Sequence, residues 1–326
     1  MNAHHKIHLV HNSIFEPFII ASTQVGTPVE KILNKVNLPL QLLENQDILI
    51  PERACWEFIR EVSQLEGISD FGRLATEAVA HDEMTALAPL LASCENLFDL
   101  LKRFCLVAPT LCDTAGYIIE ANQDNVVFKQ KGDRLLDDDT QVQLFEIAGM
   151  IQLVNLAIDY QWHPAEIHLT FNPDHKIEGS ELLGFSRVLF NQPYPAITIP
   201  RGLLAAPLQI KHSERILYTA IPDEFISKVQ HMITPYLSGN HLNITTAAEL
   251  AGTSVRTFQR CLKDQNSNFS DIVDKARAFQ ASYLLKESNL KLIDIALSLG
   301  YSDASNFTRA FRRWMGVSPK EYRRLF

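Results

Sequence analysis

Two sets of hydrogen-bonding side chains near the end of the chain share one spacing. Arg256, Gln259, Arg260 and Lys263 fall at i, i+3, i+4 and i+7, and so do Ser305, Thr308, Arg309 and Arg312. At about 100° per residue, such positions share one face of a helix. The opposite faces are apolar: Val255, Phe258 and Leu262 in the first set, Ala304, Phe307, Phe311 and Trp314 in the second. Arg bonds the guanine edge bidentately, Gln bonds adenine, and Ser or Thr suits either. The chemistry on offer is the reading of base edges from a helix, with Lys263 suited to phosphate. The bland alternative is a pair of solvated faces, and the repeat in the same register argues against it.

Short elements must position these faces. Thr246–Lys263 and Leu292–Arg313 both read as helix-turn-helix segments. Each has an apolar helix, a break holding a Gly (Gly252, Gly300), and a Ser before the next helix (Ser254, Ser302). Such a second helix is a standard reader of the major groove. Thr246 and Glu249 form T-x-x-E, a capping box for the first helix. Lys291 at the equivalent place cannot accept from backbone N–H groups, which leaves Asn289 as the substitute cap. Ser318-Pro319 reads as an N-cap and first helical residue, followed by the basic Lys320, Arg323 and Arg324. Between the motifs, Phe269–Glu287 reads as one helix with Ile272, Val273, Ala276, Phe279, Ala281, Tyr283, Leu284 and Leu285 as apolar positions. A helix of that length spans roughly 28 Å. Successive major grooves on one DNA face lie about 34 Å apart. The spacing therefore suits one chain reading two groove segments without a partner.

The run Ile293–Arg323 resembles the signature of the AraC/XylS transcription regulators. The matching elements are Ile295-Ala296, Gly300-Tyr301, Ser305, Phe307, Arg309, Phe311-Arg312, Gly316, Ser318-Pro319, Tyr322 and Arg323. The resemblance extends over about residues 223–326. It implies an all-α domain in which two helix-turn-helix subdomains are joined by a long helix. It places base contacts at Arg256, Gln259 and Arg260, and at Ala304, Ser305, Thr308 and Arg309. It also implies double-stranded DNA and RNA polymerase as partners. Ala304 departs from the hydrogen-bonding pattern. It can touch only a thymine methyl, so direct readout by the second helix is expected to be less strict.

Charge divides the chain in the same place. Residues 223–326 hold 14 Lys+Arg against 10 Asp+Glu, a net of +4, whereas the whole 326-residue chain is at −8. A basic module on an acidic protein fits phosphate-driven affinity for DNA. The length leaves room for two or three domains, and 46% hydrophobic content allows large cores. No unbroken apolar run reaches the roughly 18 residues of a membrane helix, and the N-terminus has no signal-like pattern, so a cytoplasmic protein with no membrane partner is expected. Cys55, Cys94, Cys105, Cys112 and Cys261 form no C-x-x-C and no disulfide framework.

The first two hundred residues read as α+β. Helical spacing marks Ile14–Gln24, Val29–Val36, Pro51–Leu65, Phe98–Val107 and Thr140–Tyr160. Strand patterns mark Leu111–Glu120, Asn125–Lys129, Glu166–Phe171, Arg187–Phe190 and Ala196–Ile199. The segments Leu42–Gly67 and Ile197–Leu208 resemble the sensor domain of one AraC-family branch, a domain type named for arabinose. The resemblance covers roughly residues 15–208, rests on layout, and transfers no ligand residues. His4, His5, His8 and His11 sit close together and read as a solvated terminus rather than a metal site. Cys94, Cys105 and Cys112 read as small buried apolar groups rather than a redox sensor. Asp137-Asp138-Asp139 reads as the acidic start of a helix.

No P-loop, G-x-G-x-x-G or nucleophile elbow is present, and the cysteine spacing does not match a zinc-dependent alkyl-transfer domain. No enzyme and no cofactor are expected. The reading is a sensing or dimerisation domain over 1–205, a linker over 206–222, and a double helix-turn-helix DNA-binding domain over 223–326. The function expected is sequence-specific transcription regulation responsive to a small-molecule effector. The rival is an N-terminal domain that only dimerises or binds another protein. Apolar residues of Thr140–Tyr160 exceed what one sheet face requires, which points to a homodimer face; the alternative is that this is simply the central core helix.

Overall fold

The computed structural model describes residues 7–78, 94–132, 135, 136, 139–158, 161–172, 185–208, 219–238 and 242–325. The chain forms two compact units. One comprises Val10–Asp47 and Glu52–Ile221; the other comprises the residues up to Leu9, Ile48–Pro51 and Pro222–Phe326.

The N-terminal unit is α+β. Strand β1 (Leu9–His11) leads into α1 (Asn12–Gln24) and α2 (Val29–Lys35). After β2 (Leu49–Pro51), which belongs to the other unit, come α3 (Glu52–Glu66), α4 (Phe71–Ala78) and α5 (Leu97–Leu111). The remaining elements are β3 (Tyr117–Ala121), β4 (Asn125–Gln130), α6 (Thr140–Ile158), β5 (Glu166–His168), β6 (Arg187–Leu189) and β7 (Ala196–Pro200). The five-stranded sheet runs β3-β4-β7-β5-β6, antiparallel except for the parallel β5–β6 pair. Its register sets Val126 opposite Ile199, and Phe128 and Ile167 opposite Ile197. All five side chains are buried, and Phe128, Ile167, Ile197 and Ile199 share one core with Leu144, Ile147, Ile151 and Val154 of α6.

Three expectations change here. The strand expected from Leu111 starts only at Tyr117, because α5 continues through Pro109 to Leu111 and Cys112–Gly116 turns the chain. Helix α4 was not anticipated; only two turns long, it follows Asp70, whose carbonyl accepts from Leu74 N. Helix α6 is long and apolar enough to cross a membrane by length and composition, although polar residues interrupt its apolar run. Within the fold it is a core helix: Leu144, Ile147, Ala148, Ile151, Val154 and Ile158 are all buried, and Leu156 is half-buried. The apolar surplus meant for a partner subunit is thus taken up by the core. Residues 159 and 160 lie outside the described set.

The C-terminal unit is helical: α7 (Phe225–Ile233), α8 (Ile244–Leu250), α9 (Val255–Asp264), α10 (Phe269–Glu287), α11 (Leu292–Ser298), α12 (Ala304–Met315) and α13 (Pro319–Leu325). Helix α10 packs against α7, α11, α12 and α13. Phe258 lies between Phe225 and Phe269, each 6.4 Å away by ring centroid. Phe311 meets Phe307 at 5.7 Å and Tyr322 at 5.4 Å. Burying each such ring contributes about 1.5–3 kcal/mol. On α10, Ile272, Ala276, Ala281 and Leu285 are buried, but Phe279 and Tyr283 are exposed at 66% and 56%. One helix cannot bury all the apolar positions assigned to it, and 279 and 283, at i and i+4, share the outer face. The unit also takes in residues from the start of the chain: α7 packs on β2, where Leu49 and Ile50 are buried, and Lys228 Nζ donates to Ile7 O at 3.3 Å.

Candidate nucleic-acid interface

Helix α8 is capped by Asn243, whose Oδ1 accepts from Thr245 N at 2.8 Å and Thr246 N at 3.0 Å. The helix therefore starts earlier than expected, and Thr246 lies in its first turn rather than at its cap. Asn is as good an N-cap as Thr and stands where the chain leaves extended geometry. Gly252 at φ 63 turns the chain. Ser254 then caps α9, accepting from Thr257 N at 3.2 Å. Phe258 and Leu262 are buried, which leaves Arg256, Gln259, Arg260 and Lys263 exposed together on the other side.

The second motif repeats this plan with different parts. Lys291 precedes α11 and its side chain makes no capping bond; Asn289 does not substitute, and Asp294 supplies the acidic first turn. Gly300 sits at φ 78, and a Cβ there would lie 2.4 Å from Leu237 O, so no other residue fits this turn. The cap of α12 is Asp303, not Ser302; its Oδ1 accepts from Asn306 N at 2.7 Å. Phe307, Ala310 and Phe311 are buried, while Ser305, Arg309 and Arg312 are exposed. Ala304 and Thr308 are half-buried, and Thr308 Oγ1 donates to Ala304 O at 2.7 Å. That hydroxyl's proton is already used within the helix. Its lone pairs and methyl remain for a base.

The spacing of the exposed set did not include Asp303, Asn306, Arg277 or Arg313. A groove of about 840 Å³ beside α12 is lined by Arg277, Ser302, Asn306, Arg309 and Arg313 among others. Arg277 is committed to structure: its Nε donates to Leu299 O at 3.0 Å, and its guanidinium lies 5.1 Å from the Tyr301 ring. Arg313 pairs with Asp274 of α10 at 2.8 Å. Ser318 caps α13 as expected, with Glu321 N donating to its Oγ at 3.3 Å and Ser318 N donating back to Glu321 Oε2 at 2.8 Å. Arg323 on that helix donates to Leu290 O at 2.7 Å.

The N-terminal unit places its candidates differently. His4, His5, Asp137 and Asp138 lie outside the described residues. His11 is not solvated as expected: it is fully buried, its Nδ1 accepting from Ser13 N as the cap of α1. The ring fits there because its other nitrogen finds Asp47 Oδ1 at 2.9 Å. Burial lowers the His11 pKa against the pull of that carboxylate. Asp139 Oδ1 accepts from Gln143 Nε2 beside the start of α6. Of the three cysteines read as buried, Cys112 is buried, whereas Cys94 and Cys105 are half-buried. Cys112 is also not in an apolar setting: its thiol donates to Glu52 Oε1 at 3.1 Å, and Thr114 Oγ1 donates to the same oxygen. Burial and the neighbouring Glu52 push its thiol pKa up, away from thiolate chemistry. Among the described residues, no group of three His, Cys, Asp or Glu could hold a metal ion.

Comparison with known proteins bears on both units. Residues 247–325 match a helix-turn-helix domain model. Residues 26–208, more than half of the chain, match the arabinose-binding domain of AraC transcription regulators. The ornithine utilization regulator of Pseudomonas aeruginosa is 28% identical over 162 residues, 46% of this chain and 47% of that protein. The HTH-type transcriptional regulator VqsM of the same organism is 39% identical over 84 residues, 26% of each chain. The alignments thus span about half and about a quarter of those relatives. The solved structure of the transcriptional regulator CdpR from P. aeruginosa aligns over 91% of this chain and 96% of its own, with 19% identity and a TM-score of 0.37. The match across residues 26–208, together with the C-terminal helix-turn-helix match, shows that the chain belongs to the AraC family of DNA-binding transcription regulators.

Proposed function

We propose that this regulator reads two major-groove segments with α9 and α12 and responds to a small-molecule effector held by its N-terminal domain. Arg256, Gln259 and Arg260 act as base readers of the first segment, with Lys263 on phosphate. Ala304, Ser305, Thr308 and Arg309 face bases of the second, with Arg312 beside them. One observation carries the reading. Each helix buries apolar side chains on one side, Phe258 and Leu262 or Phe307, Ala310 and Phe311, and leaves donors exposed on the other in the same register, Arg256, Gln259, Arg260 and Lys263 or Ser305, Arg309 and Arg312. Sensing belongs to residues 1–205 and DNA binding to 223–326, with 206–222 as the connection through which the effector acts. The described parts of that connection are exposed or half-buried, while Lys211, His212, Glu214 and Arg215 lie outside the described residues. The working partners are DNA, the effector and RNA polymerase, in the cytoplasm.

Selection of bound sites from a randomised duplex pool by the full chain tests the assignment. Arg260→Ala and Arg309→Ala are each expected to lose about 1–3 kcal/mol of specific binding and to relax preference at one base position. Lys263→Ala is expected to weaken all sequences alike and to lower the salt slope by about one. Unchanged base preference in both Arg variants would overturn the assignment.

A further inference from the structure

We infer that Asn306 is a positioning residue that presets the Arg309 guanidinium for a single base, making that position the most strictly read of the second motif. The inference rests on the proposal that Arg309 meets a base edge. The contacts begin at the helix cap. Asp303 accepts twice from Asn306, at Oδ1 from the backbone N–H (2.7 Å) and at Oδ2 from Nδ2 (2.6 Å). Ser302 Oγ accepts from the same Nδ2 at 3.2 Å and donates to Asp303 Oδ2 at 3.1 Å. An ionised carboxylate only accepts, so the Asn306 amide has one workable orientation, with its NH₂ toward Asp303. Its carbonyl oxygen then points along the helix. There it accepts from Arg309 Nη2. Residues 306 and 309 stand three apart, the spacing at which helical side chains meet.

The consequence lies in what Arg309 has left to offer. A guanidinium carries five N–H donors in a rigid fork. One donor committed to Asn306 leaves a pair of parallel donors for the guanine O6/N7 edge. A side chain already held in place loses less rotamer freedom on binding than a free one. The first motif lacks this device. At the position equivalent to Asn306 it carries Thr257, whose hydroxyl is engaged by Ser254 Oγ at 3.0 Å. Among the described residues nothing bonds the Arg260 guanidinium. Ala304 contributes no hydrogen bond to readout, and the relay from Asp303 through Asn306 concentrates the helix's strictness at Arg309 instead.

The test is site selection and equilibrium binding with the full chain as wild type, Asn306→Ala, Asn306→Thr, Arg309→Ala and the Asn306→Ala/Arg309→Ala double variant. Arg309→Ala identifies the base position that Arg309 reads. At that position Asn306→Ala and Asn306→Thr are expected to cut preference by about 3–10-fold. Preference elsewhere and the salt slope should stay at wild-type values, because no charge is lost. In the Arg309→Ala background the second change should add no further loss of preference. The threonine variant keeps a capping side chain, as Thr257 does, and carries the comparison should the alanine variant melt early. If Arg309→Ala erases a preference that both Asn306 variants leave within twofold, the relay is overturned while Arg309 remains a reader. If Arg309→Ala alters no base preference, the underlying site assignment fails instead. A uniform loss across all positions would make Asn306 only a helix cap and would equally overturn the relay.

Discussion

Glu52 opens α3 with a carboxyl that is 0% exposed, and burial raises its pKa to about 7. Thr114 and Cys112 both donate to its Oε1, while Oε2 has no hydrogen-bond partner. The folded-state pKa lies above the ordinary value of 4.5, so folding favours the protonated acid. Its contribution is full below about 4.5 and is lost as pH rises through about 7. His11 acts in the opposite direction. Burial lowers its pKa, so its contribution is present above the ordinary histidine value and is lost as pH falls. Glu52→Gln keeps a neutral acceptor for Thr114 and removes the titration. Relative to this variant, the wild type is expected to lose roughly 3 kcal/mol between pH 5 and 8. Denaturant melts of both proteins across that range measure the difference, in which the His11 effect cancels. Parallel stability curves would show that Glu52 does not titrate in the fold. None of this is readable from residue types, because the burial of Glu52 is a product of tertiary packing against Cys112 and Thr114.

Helix α7 shows what an element owes to distant sequence. It packs on β2, and Lys228 reaches Ile7 O, so the helical unit includes residues more than 170 positions upstream. A fragment of residues 223–326 still contains the Phe258 and Phe311 cores and the full length of α10. It is expected to melt cooperatively with strong helical circular dichroism, and to bind DNA as a monomer with a steep salt dependence. Amides of α7 should exchange faster in the fragment than in the full chain, since Leu49 and Ile50 no longer cover that helix, whereas amides of α10 should keep their protection. An unfolded fragment, or an α7 equally protected in both, would refute this. The recognition faces were legible because burial of Phe258, Leu262, Phe307 and Phe311 follows from helical periodicity alone. Cap positions were less legible: Asn243 and Asp303 compete with Thr246 and Ser302, and only the backbone geometry at each start decides between them. The recruitment of Ile48–Pro51 and the parallel β5–β6 pair were not legible at all, because long-range pairing leaves no local spacing.

At the scale of the whole molecule, the chain passes between the two units after Leu9, Asp47, Pro51 and Ile221. Three residues of the N-terminal unit flank three of those passages and bond to one another. Asp47 Oδ1 accepts from His11 Nε2 at 2.9 Å and from Thr219 N at 3.0 Å, and Oδ2 accepts from Thr219 Oγ1 at 3.0 Å. The tautomer follows from the cap: His11 Nδ1 accepts from Ser13 N, so Nε2 carries the proton and donates. Asp47 thereby fixes Thr219, three residues before the C-terminal unit resumes at Pro222. Asp47→Ala removes the acceptor for Thr219 and for His11 together. The carboxylate is 55% exposed, so solvent screens it and the expected effect on the Thr219 amide is modest, about tenfold faster hydrogen exchange. Asp47→Asn, which keeps an acceptor, is expected to fall between that variant and wild type. Amides of α9 and α12 are expected to exchange at wild-type rates in both variants, since they belong to the other unit and share no bond with Asp47. Exchange measured by mass spectrometry on the full chain separates the outcomes. Unchanged Thr219 exchange would mean that Asp47 does not anchor the connection, and faster exchange spreading to α9 and α12 would mean that the anchor also supports the DNA-binding unit.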